Sequence, residues 1–346
     1  MAKVRILAVD GGGVRGIIPT TVLAYIEGKL IEKTGNPNAR MADFLDFGAG
    51  TSTGSIIAGM VMTPNEKGRP AFKMKEAVQA YFDIAAKVFK KDWRRNLKTC
   101  WGLFGPKYGV DAINTELIKK FNHWKLNELL LPCAFTGYDT AKRMPVIYTN
   151  RDDKEKYGDY YLKDVVRGST SIPSIFKPAY FRNGSDVNTI IDGGVFANNP
   201  SMVAYVEVLK TTELAERFNE LTPEHALILS FGTGRGLITK YPYRKIMRWG
   251  KVRWFIPILN ILLQGMSDVT NYEMETYFRT YKVSENFVRI NPAIVLGSAD
   301  GEDASAENMK NLHQDALNYI SKNRTFLDNL AERLIKEDLK YSAVLF

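Results

Sequence analysis

The sequence VRILAVDGGGVRGIIPTTVLAYIEGKL, residues 4–30, passes from an apolar segment through three consecutive glycines into a segment with helical periodicity. The apolar part, residues 3–9, is typical of a buried parallel strand. After the glycines, apolar side chains recur at helical spacing, and Pro19 stands near the start of that segment, where a missing N–H costs little. The glycines are therefore predicted to form a tight turn between a strand and a helix.

The same scheme recurs at residues 44–62, where a short apolar segment and an apolar helix flank the pentapeptide GTSTG at residues 50–54. In this GxSxG pattern a serine on a sharp turn exposes its hydroxyl, and small flanking residues let the strand and the helix cross closely. The helix also directs its N-terminal dipole and free amides towards developing negative charge. The pattern predicts Ser52 as a nucleophile; the alternative is a helix cap with glycines needed only for packing.

Strands and helices alternate along the rest of the chain. Further strands are predicted at residues 129–138, 144–150, 187–192 and 226–231, and further helices at 73–90, 111–123, 201–209, 306–320 and 326–335. This alternation favours an α/β fold with a mostly parallel central sheet and helices on both faces. Because no linker or repeat divides the chain, residues 1–346 are predicted to form a single α/β domain.

The first glycine turn has two functional interpretations. It matches the GxGxxG pattern of a dinucleotide-binding loop, but the second strand ends in the serine turn instead of the acidic residue that such a loop requires. Alternatively, consecutive glycine amides form an oxyanion hole for the charge that develops when a serine attacks an ester. The oxyanion hole is favoured because it also explains the serine turn; a dinucleotide-binding oxidoreductase and a simple tight turn are the alternatives.

A nucleophilic serine needs a base, and the usual base, histidine, occurs only at His123, His225 and His313. The first and last lie in polar helical segments, and the second precedes a strand at its amino end. Asp192 instead follows a predicted strand directly, so we expect it at the sheet edge where the two glycine turns lie. Once desolvated and bonded to Ser52, this carboxylate can act as the base of a Ser/Asp dyad; the alternative is that it braces its own turn.

Taken together, DGGGVRG at residues 10–16, GTSTG at 50–54 and DGG at 192–194 resemble, in order and spacing, the three signatures of the patatin-like phospholipase family. The similarity extends to FGTG at 231–234 and to WGKVRWFIPILNILLQGMSD at 249–268, as in bacterial members. It implies a three-layer α/β fold with a serine nucleophile elbow. The patatin-like core would cover about residues 4–210, and residues 211–346 would complete the sheet and add helices and a membrane-facing cap.

The resemblance also implies lipid acyl hydrolysis without a metal or any other cofactor. Ser52 would be the nucleophile and Asp192 the base. The oxyanion hole would be formed by the amides of Gly11, Gly12, Gly13 and Thr53. Arg15 would steady that loop, and the turns would be supported by the remaining motif glycines, Gly16, Gly50, Gly54, Gly193 and Gly194. The dyad motif reads Asp-Gly-Gly where many members have Asp-Gly-Ala.

Composition limits the compartment and the partners. With only Cys100 and Cys133 in 346 residues, neither a disulfide framework nor a CxxC metal site is expected, and the first apolar run is too short for a secretory signal. The net charge of +9 suggests an anionic partner. Basic residues concentrate beside aromatic ones at residues 87–98 and 239–267, which favours a phospholipid surface; a buried helix with solvated flanks is the alternative. Nucleic acid is not expected, because no motif for it is present.

We therefore expect a cytoplasmic protein that lies peripherally at the inner membrane when active and cleaves membrane phospholipids there. Because compact bacterial members act in antiphage defence, the resemblance further implies activation by a bound cyclic dinucleotide. A non-catalytic lipid-binding module is the remaining alternative. The sequence leaves the oligomeric state open, including a homo-oligomer.

Overall fold

One sheet forms the centre of the computed structural model, which describes residues 3–90, 105–151, 154–210, 221–236 and 241–337. Its strands are β1 Val4–Val9, β2 Phe47–Gly50, β3 Cys133–Asp139, β4 Met144–Thr149, β5 Ala179–Asn183, β6 Asp186–Asp192, β7 Ala226–Phe231 and β8 Phe287–Ile290. They are ordered β5-β6-β3-β2-β1-β7-β8, with β4 paired to β3. Strands β3, β2, β1, β7 and β8 are parallel, so the predicted mostly parallel sheet is confirmed.

Helices surround this sheet. Within the described residues they are α1 Ile17–Thr34, α2 Thr53–Met62, α3 Met74–Val88, α4 Asp111–Phe121, α5 Lys154–Tyr157, α6 Leu162–Ser169, α7 Gly194–Ala197, α8 Ser201–Lys210, α9 Tyr243–Ile246, α10 Lys251–Thr280, α11 Ala306–Lys322 and α12 Arg324–Lys336. The predicted helices and strands occur within a few residues of their expected bounds. Strands β5 and β8, helix α6, the continuous helix α10 and the short helices α5, α7 and α9 were not predicted.

The central strands are buried on both faces, which is why their sequences are almost entirely apolar. Alternate side chains of β1 enter different cores. On one face, Leu7 and Val9 join a large apolar core with α1 to α4, α6, α11 and α12. On the other face, Ile6 and Ala8 pack in a smaller core with α8 and α10. The sheet is thus the middle layer of a three-layer α/β arrangement.

The strand that ends at Asp192 runs antiparallel to its neighbour β3. Gly137 of β3 pairs with Asp192, whereas Phe135, two residues earlier, pairs with Gly50 at the end of β2. Strands β2 and β6 therefore pair with successive parts of the same edge of β3, and their C-terminal ends face each other. The expectation that the serine turn and the aspartate turn meet is correct, but the reason given for it is wrong, because β6 reaches the site from the opposite direction.

The helix α10 differs between its two halves. Its C-terminal half packs on the sheet through buried Met274 and Phe278, whereas its N-terminal half exposes Ile258, Ile261 and Leu262. Within the described part of the chain, no helix combines the length and the hydropathy needed to cross a bilayer.

Candidate active site

Ser52 lies on the turn between β2 and α2 in a backbone conformation that is rare for a residue with a side chain, with φ 53° and ψ −125°. The turn is closed by a hydrogen bond from the Gly54 amide to the Thr51 carbonyl at 2.8 Å. Outside the turn, the Ser52 amide donates to Ser169 Oγ at 2.9 Å, and the Ser52 carbonyl accepts from Ser55 Oγ at 2.5 Å. These bonds hold the strained serine at the start of α2.

Three motif glycines are required because backbone segments approach too closely for any side chain. A Cβ on Gly50 would lie 2.4 Å from the carbonyl oxygen of Gly54, and a Cβ on Gly54 would lie 2.0 Å from that of Val9. In the aspartate turn, a Cβ on Gly193 would lie 2.6 Å from the carbonyl carbon of Thr136. All three obstacles are backbone atoms, so any larger residue must displace a strand or the turn itself.

Two further motif glycines make room for side chains that close around the site. A Cβ on Gly16 would lie 2.3 Å from the hydroxyl oxygen of Tyr81. A Cβ on Gly194 would lie 2.9 Å from a methyl carbon of Leu263, which belongs to α10. The helix α10 therefore contacts the turn that carries Asp192.

Asp192 ends β6 and is buried beside the serine turn. Its amide donates to the Ser171 carbonyl at 3.0 Å, and its Oδ1 accepts from the Gly194 amide at 2.7 Å. Within the described residues its other oxygen, Oδ2, is buried without a hydrogen-bond partner of ordinary geometry. Burial raises the pKa of Asp192 to about 7, although interactions with the Ser52 hydroxyl and the Gly194 amide lower it. The structure thus brings Ser52 and Asp192 together, with the carboxyl group near half-ionisation at neutral pH.

The glycine loop after β1 lies against the serine turn, because a Cβ on Gly11 would lie 3.1 Å from the Cβ of Ser52. The Gly11 amide donates to the Asn198 carbonyl at 3.0 Å, so its predicted role as an oxyanion donor is wrong. Within the described part of the chain, the amides of Gly12, Gly13 and Thr53 donate no hydrogen bond. They are therefore available to bind an oxygen that approaches the glycine loop.

Arg15 and Tyr81 hold this loop. Arg15 Nε donates to the Gly12 carbonyl at 3.1 Å, which agrees with the expected steadying role. The Tyr81 hydroxyl, from α3, donates to the Gly13 carbonyl at 2.5 Å and also hydrogen-bonds with the hydroxyl of Thr53. Tyr81 therefore connects the glycine loop to the serine turn.

An apolar cavity of about 40 Å³ lies beside Ser52. Most of its wall consists of apolar side chains from α2, α3, α4 and the loop after α6, among them Ile56, Ile84, Val88, Phe89, Ile113 and Phe176. The volume corresponds to only about three water molecules, so a long acyl chain can enter only if these side chains move apart.

The histidines lie elsewhere. His225 precedes β7 at its amino end, as expected, and His123 is exposed beyond the end of α4. His313 is half-buried and hydrogen-bonds through Nδ1 with the Thr21 hydroxyl at 3.0 Å, which joins α11 to α1. Among the residues that the structure describes, no group of three or more His, Cys, Asp or Glu side chains is arranged to hold a metal ion.

Residues 7–205 match the family model described as patatin-like phospholipase. The chain belongs to the patatin-like phospholipase family. It is 31% identical to "Patatin-like protein 2" of Oryza sativa subsp. indica over 347 residues, covering 94% of this chain and 85% of the relative. It is 30% identical to "Probable inactive patatin-3-Kuras 1" of Solanum tuberosum over 334 residues, covering 92% and 87%.

Among solved structures, that of VipD from Legionella pneumophila is similar with a TM-score of 0.37 at 14% identity, covering 93% of this chain and 67% of that chain. Members of the patatin-like phospholipase family are carboxylic ester hydrolases, and the relatives support a lipid acyl hydrolase. Family membership therefore decides against the dinucleotide-binding oxidoreductase that the first glycine turn left open.

Sequence reasoning missed several residues that shape the site. Ser169, Tyr81 and Asn198 each bind the backbone of a catalytic turn from a distant part of the chain. Only Asn198 carried a signal, since it follows the aspartate turn as one of two consecutive asparagines.

Proposed function

We propose that this protein cleaves fatty-acyl esters of membrane phospholipids with a Ser52/Asp192 dyad. Family membership alone does not establish turnover, because one relative is named a probable inactive patatin. The observation that carries the proposal is the buried Asp192 carboxyl group beside Ser52, whose Oδ2 has no hydrogen-bond partner of ordinary geometry among the described residues. A desolvated carboxylate with a pKa of about 7 is a far stronger base than one with the ordinary value of 3.8.

The reaction would proceed in two steps. Ser52 Oγ attacks the ester carbonyl carbon while Asp192 accepts the hydroxyl proton, and the amides of Gly12, Gly13 and Thr53 bind the oxygen that becomes negative. The bond to the alcohol then breaks, and Asp192 gives the proton to the leaving oxygen. In the second step, Asp192 removes a proton from water, the hydroxyl attacks the acyl group, and the proton returns to Ser52 as the fatty acid leaves.

The apolar cavity beside Ser52 supports a fatty-acyl group as the electrophile. Its wall offers aliphatic and aromatic side chains such as Ile84, Val88 and Phe176, and a hydrocarbon chain gains about 0.8 kcal/mol for each CH₂ that it buries. A polar acyl group would gain nothing there. This difference favours long-chain lipids over small hydrophilic esters.

The surface around α9 and the first half of α10 supports a bilayer as the source of the substrate. Residues 241–267 contain five basic residues and no acidic one: Arg244, Lys245, Arg248, Lys251 and Arg253. The same segment exposes Tyr243, Met247, Ile258, Ile261 and Leu262. Basic and apolar side chains together suit the headgroup region of an anionic membrane. Because Leu263 of α10 also contacts the Asp192 turn, this surface adjoins the site.

The other basic segment, residues 87–98, contributes less. Lys87 pairs with Glu116 at 3.0 Å, and residues 91–98, like Cys100, lie outside the described residues. Its membrane role stays a prediction, as do the cytoplasmic location and the homo-oligomer.

The dyad is tested by Ser52→Ala and Asp192→Asn, with Ser321→Ala as the matched control at an exposed serine. Wild type and control should react with a fluorophosphonate and release fatty acid from anionic phospholipid vesicles, whereas both dyad variants should do neither. Undiminished turnover by Ser52→Ala would refute the dyad. If the wild type binds vesicles but releases no fatty acid from them, the result would instead favour a non-catalytic lipid-binding module.

The cyclic dinucleotide activator stays a prediction from the resemblance. It is tested by measuring phospholipid hydrolysis with and without cyclic dinucleotides. Full activity in their absence would contradict the switch.

A further inference from the structure

A buried ion pair joins the residue before the glycine loop to the last strand of the sheet. Asp10 directly precedes Gly11, and only 3% of its surface is exposed. Arg289 of β8 donates from Nη1 to Asp10 Oδ1 at 2.8 Å and from Nη2 to Asp10 Oδ2 at 2.5 Å. Two parallel bonds of this kind fix the direction of both side chains, which a single bond does not.

The pair continues into a chain of hydroxyl groups that reaches the aspartate turn. Arg289 Nη1 also donates to Ser230 Oγ at 2.8 Å, and Ser230 Oγ hydrogen-bonds with Ser201 Oγ at 2.7 Å. Ser201 Oγ donates to Asn199 Oδ1 at 2.6 Å. Each hydroxyl can therefore accept one bond and donate the next, so hydrogen bonds run without a break from Arg289 to Asn199 Oδ1.

The two ends of this network meet again at the site. Asn198, next to Asn199, accepts the Gly11 amide with its carbonyl oxygen at 3.0 Å. Its side-chain oxygen lies between the glycine loop and the aspartate turn. A Cβ added to Gly11 would lie 2.4 Å from this oxygen, and a Cβ added to Gly194 would lie 3.1 Å from it. Arg289 thus connects both catalytic turns through bonded groups.

Helix α10 is bonded to the same ion pair. Ser267 Oγ donates to Asp10 Oδ2 at 3.1 Å and accepts from Arg289 Nη2 at 3.3 Å. Two more bonds to the loop also come from beyond residue 205: Thr233 Oγ1 donates to the Gly11 carbonyl at 2.9 Å, and the Gly301 carbonyl accepts the Val14 amide at 2.9 Å. The part of the chain that the family model does not match therefore supplies several anchors of the glycine loop, in addition to those from Tyr81 and Asn198.

We propose that Arg289 is a positioning residue for ester hydrolysis, which holds Asp10 and, through it, the amides of Gly12 and Gly13 where the oxyanion forms. This inference rests on the proposed function. Oxyanion donors accelerate a reaction only when they are already in place as the charge develops. Consecutive glycines have the widest backbone freedom of any residues, so a loop of three needs anchors outside itself.

The chain offers a matched control for the general effect of a buried ion pair. Arg5 lies on β1, the strand that leads to Asp10. It donates from Nε and Nη2 to the carboxylate of Asp46 at 3.0 and 3.1 Å. Arg5 lies five residues before Asp10, about 16 Å away along an extended strand. Both arginines bind one carboxylate with two bonds, but only Arg289 does so beside the catalytic turns.

The test compares Arg289→Gln, Arg289→Lys and Arg5→Lys in the full chain, with kcat and KM measured on a soluble ester. Active sites are counted by fluorophosphonate labelling, so that unfolded protein does not enter kcat. Arg289→Gln should lower kcat about 10²-fold, with KM within about twofold and the pH profile unmoved. Arg289→Lys should recover part of this loss, because an ammonium can still bond Asp10. Arg5→Lys should lower the melting temperature and leave kcat per active site unchanged.

Asp10→Asn keeps the proposal testable if Arg289→Gln does not fold, because it removes the charge and preserves the size of the side chain. It should lower kcat as Arg289→Gln does, and combining it with Arg289→Lys should add little, since both changes act on the same ion pair. An unchanged kcat in these variants, or an equal loss in Arg5→Lys, would overturn the positioning role. A wild type that neither labels nor hydrolyses any ester would refute the proposed function, and this inference with it.

Discussion

Ester hydrolysis by this protein should slow about tenfold between pH 8 and pH 6, because only the ionised form of Asp192 can accept the Ser52 proton. With a pKa of about 7, about nine-tenths of this carboxyl group is ionised at pH 8 and about one-tenth at pH 6. At the ordinary value of 3.8 the group would be fully ionised across this range, and the rate would not change.

The assay is kcat/KM for a soluble short-chain ester from pH 5 to pH 9, which reports the ionisation of the free enzyme. Released fatty acid is counted by mass spectrometry, so the ionisation of a chromophore does not enter. Because burial, and not a neighbouring charge, raises the pKa of Asp192, the profile should shift little between low and high salt. The rate of fluorophosphonate labelling should follow the same curve, since it needs the same base.

An apparent pKa below 5 would refute this reasoning, because it would mean that water reaches Asp192 and that the carboxylate is an ordinary weak base. A midpoint that moves by more than about one pH unit between low and high salt would also refute it, since a charged neighbour would then set the pKa.

Three further predictions concern stability and specificity. Because the folded protein favours protonated Asp192, the stability that this group contributes is complete below about pH 4 and is lost as pH rises through 7. In urea titrations at pH 8, Asp192→Asn should therefore exceed the wild type in unfolding free energy by up to about 4 kcal/mol. The same difference between variant and wild type at pH 4 and at pH 8 would contradict this. Gly54→Ala should lower the free energy of unfolding by more than about 4 kcal/mol and abolish soluble expression. Gly28→Ala, whose added Cβ would have no other atom within 4 Å, should instead raise the melting temperature by a few degrees. Val88→Phe should reduce hydrolysis of long-chain esters more than tenfold and of butyryl esters less than threefold; an equal loss for both would show that the cavity does not receive the acyl chain.

The core elements around the serine turn could be predicted from the sequence, because each has a local signal. The strand before Asp10, the glycines and the helix after them are consecutive, and β2 and α2 repeat the pattern. Ser52 and Asp192 could be proposed as site residues for the same reason, since each stands in a short glycine motif. Side-chain periodicity carries no information on strand direction, however, so the sequence did not show that β6 is antiparallel to β3.

The supporting residues could not be predicted, because their partners are distant in the chain. Arg289 lies in a four-residue strand without a motif, and its role depends on Asp10, 279 residues earlier. In the sequence, Tyr81 is indistinguishable from the other apolar positions of an amphipathic helix, and it does lie on the buried face of that helix. The Gly11 error has a similar cause: a glycine motif identifies amides that are sterically accessible, but not those already bonded to another segment.

Backbone atoms lie too close to Gly50, Gly54 and Gly193 for any side chain. In evolution, catalysis and the fold can therefore be lost through changes at different positions. On the proposed function, a single codon change at Ser52 or Asp192 would remove the chemistry and leave a protein that folds, whereas a change at these glycines would prevent folding. Selection for folding alone therefore preserves the glycine turns in a lineage that has stopped hydrolysing lipids. Inactive descendants should keep both the serine turn and the aspartate turn, so that in a new genome the glycines identify the fold and only the two reactive side chains identify an enzyme.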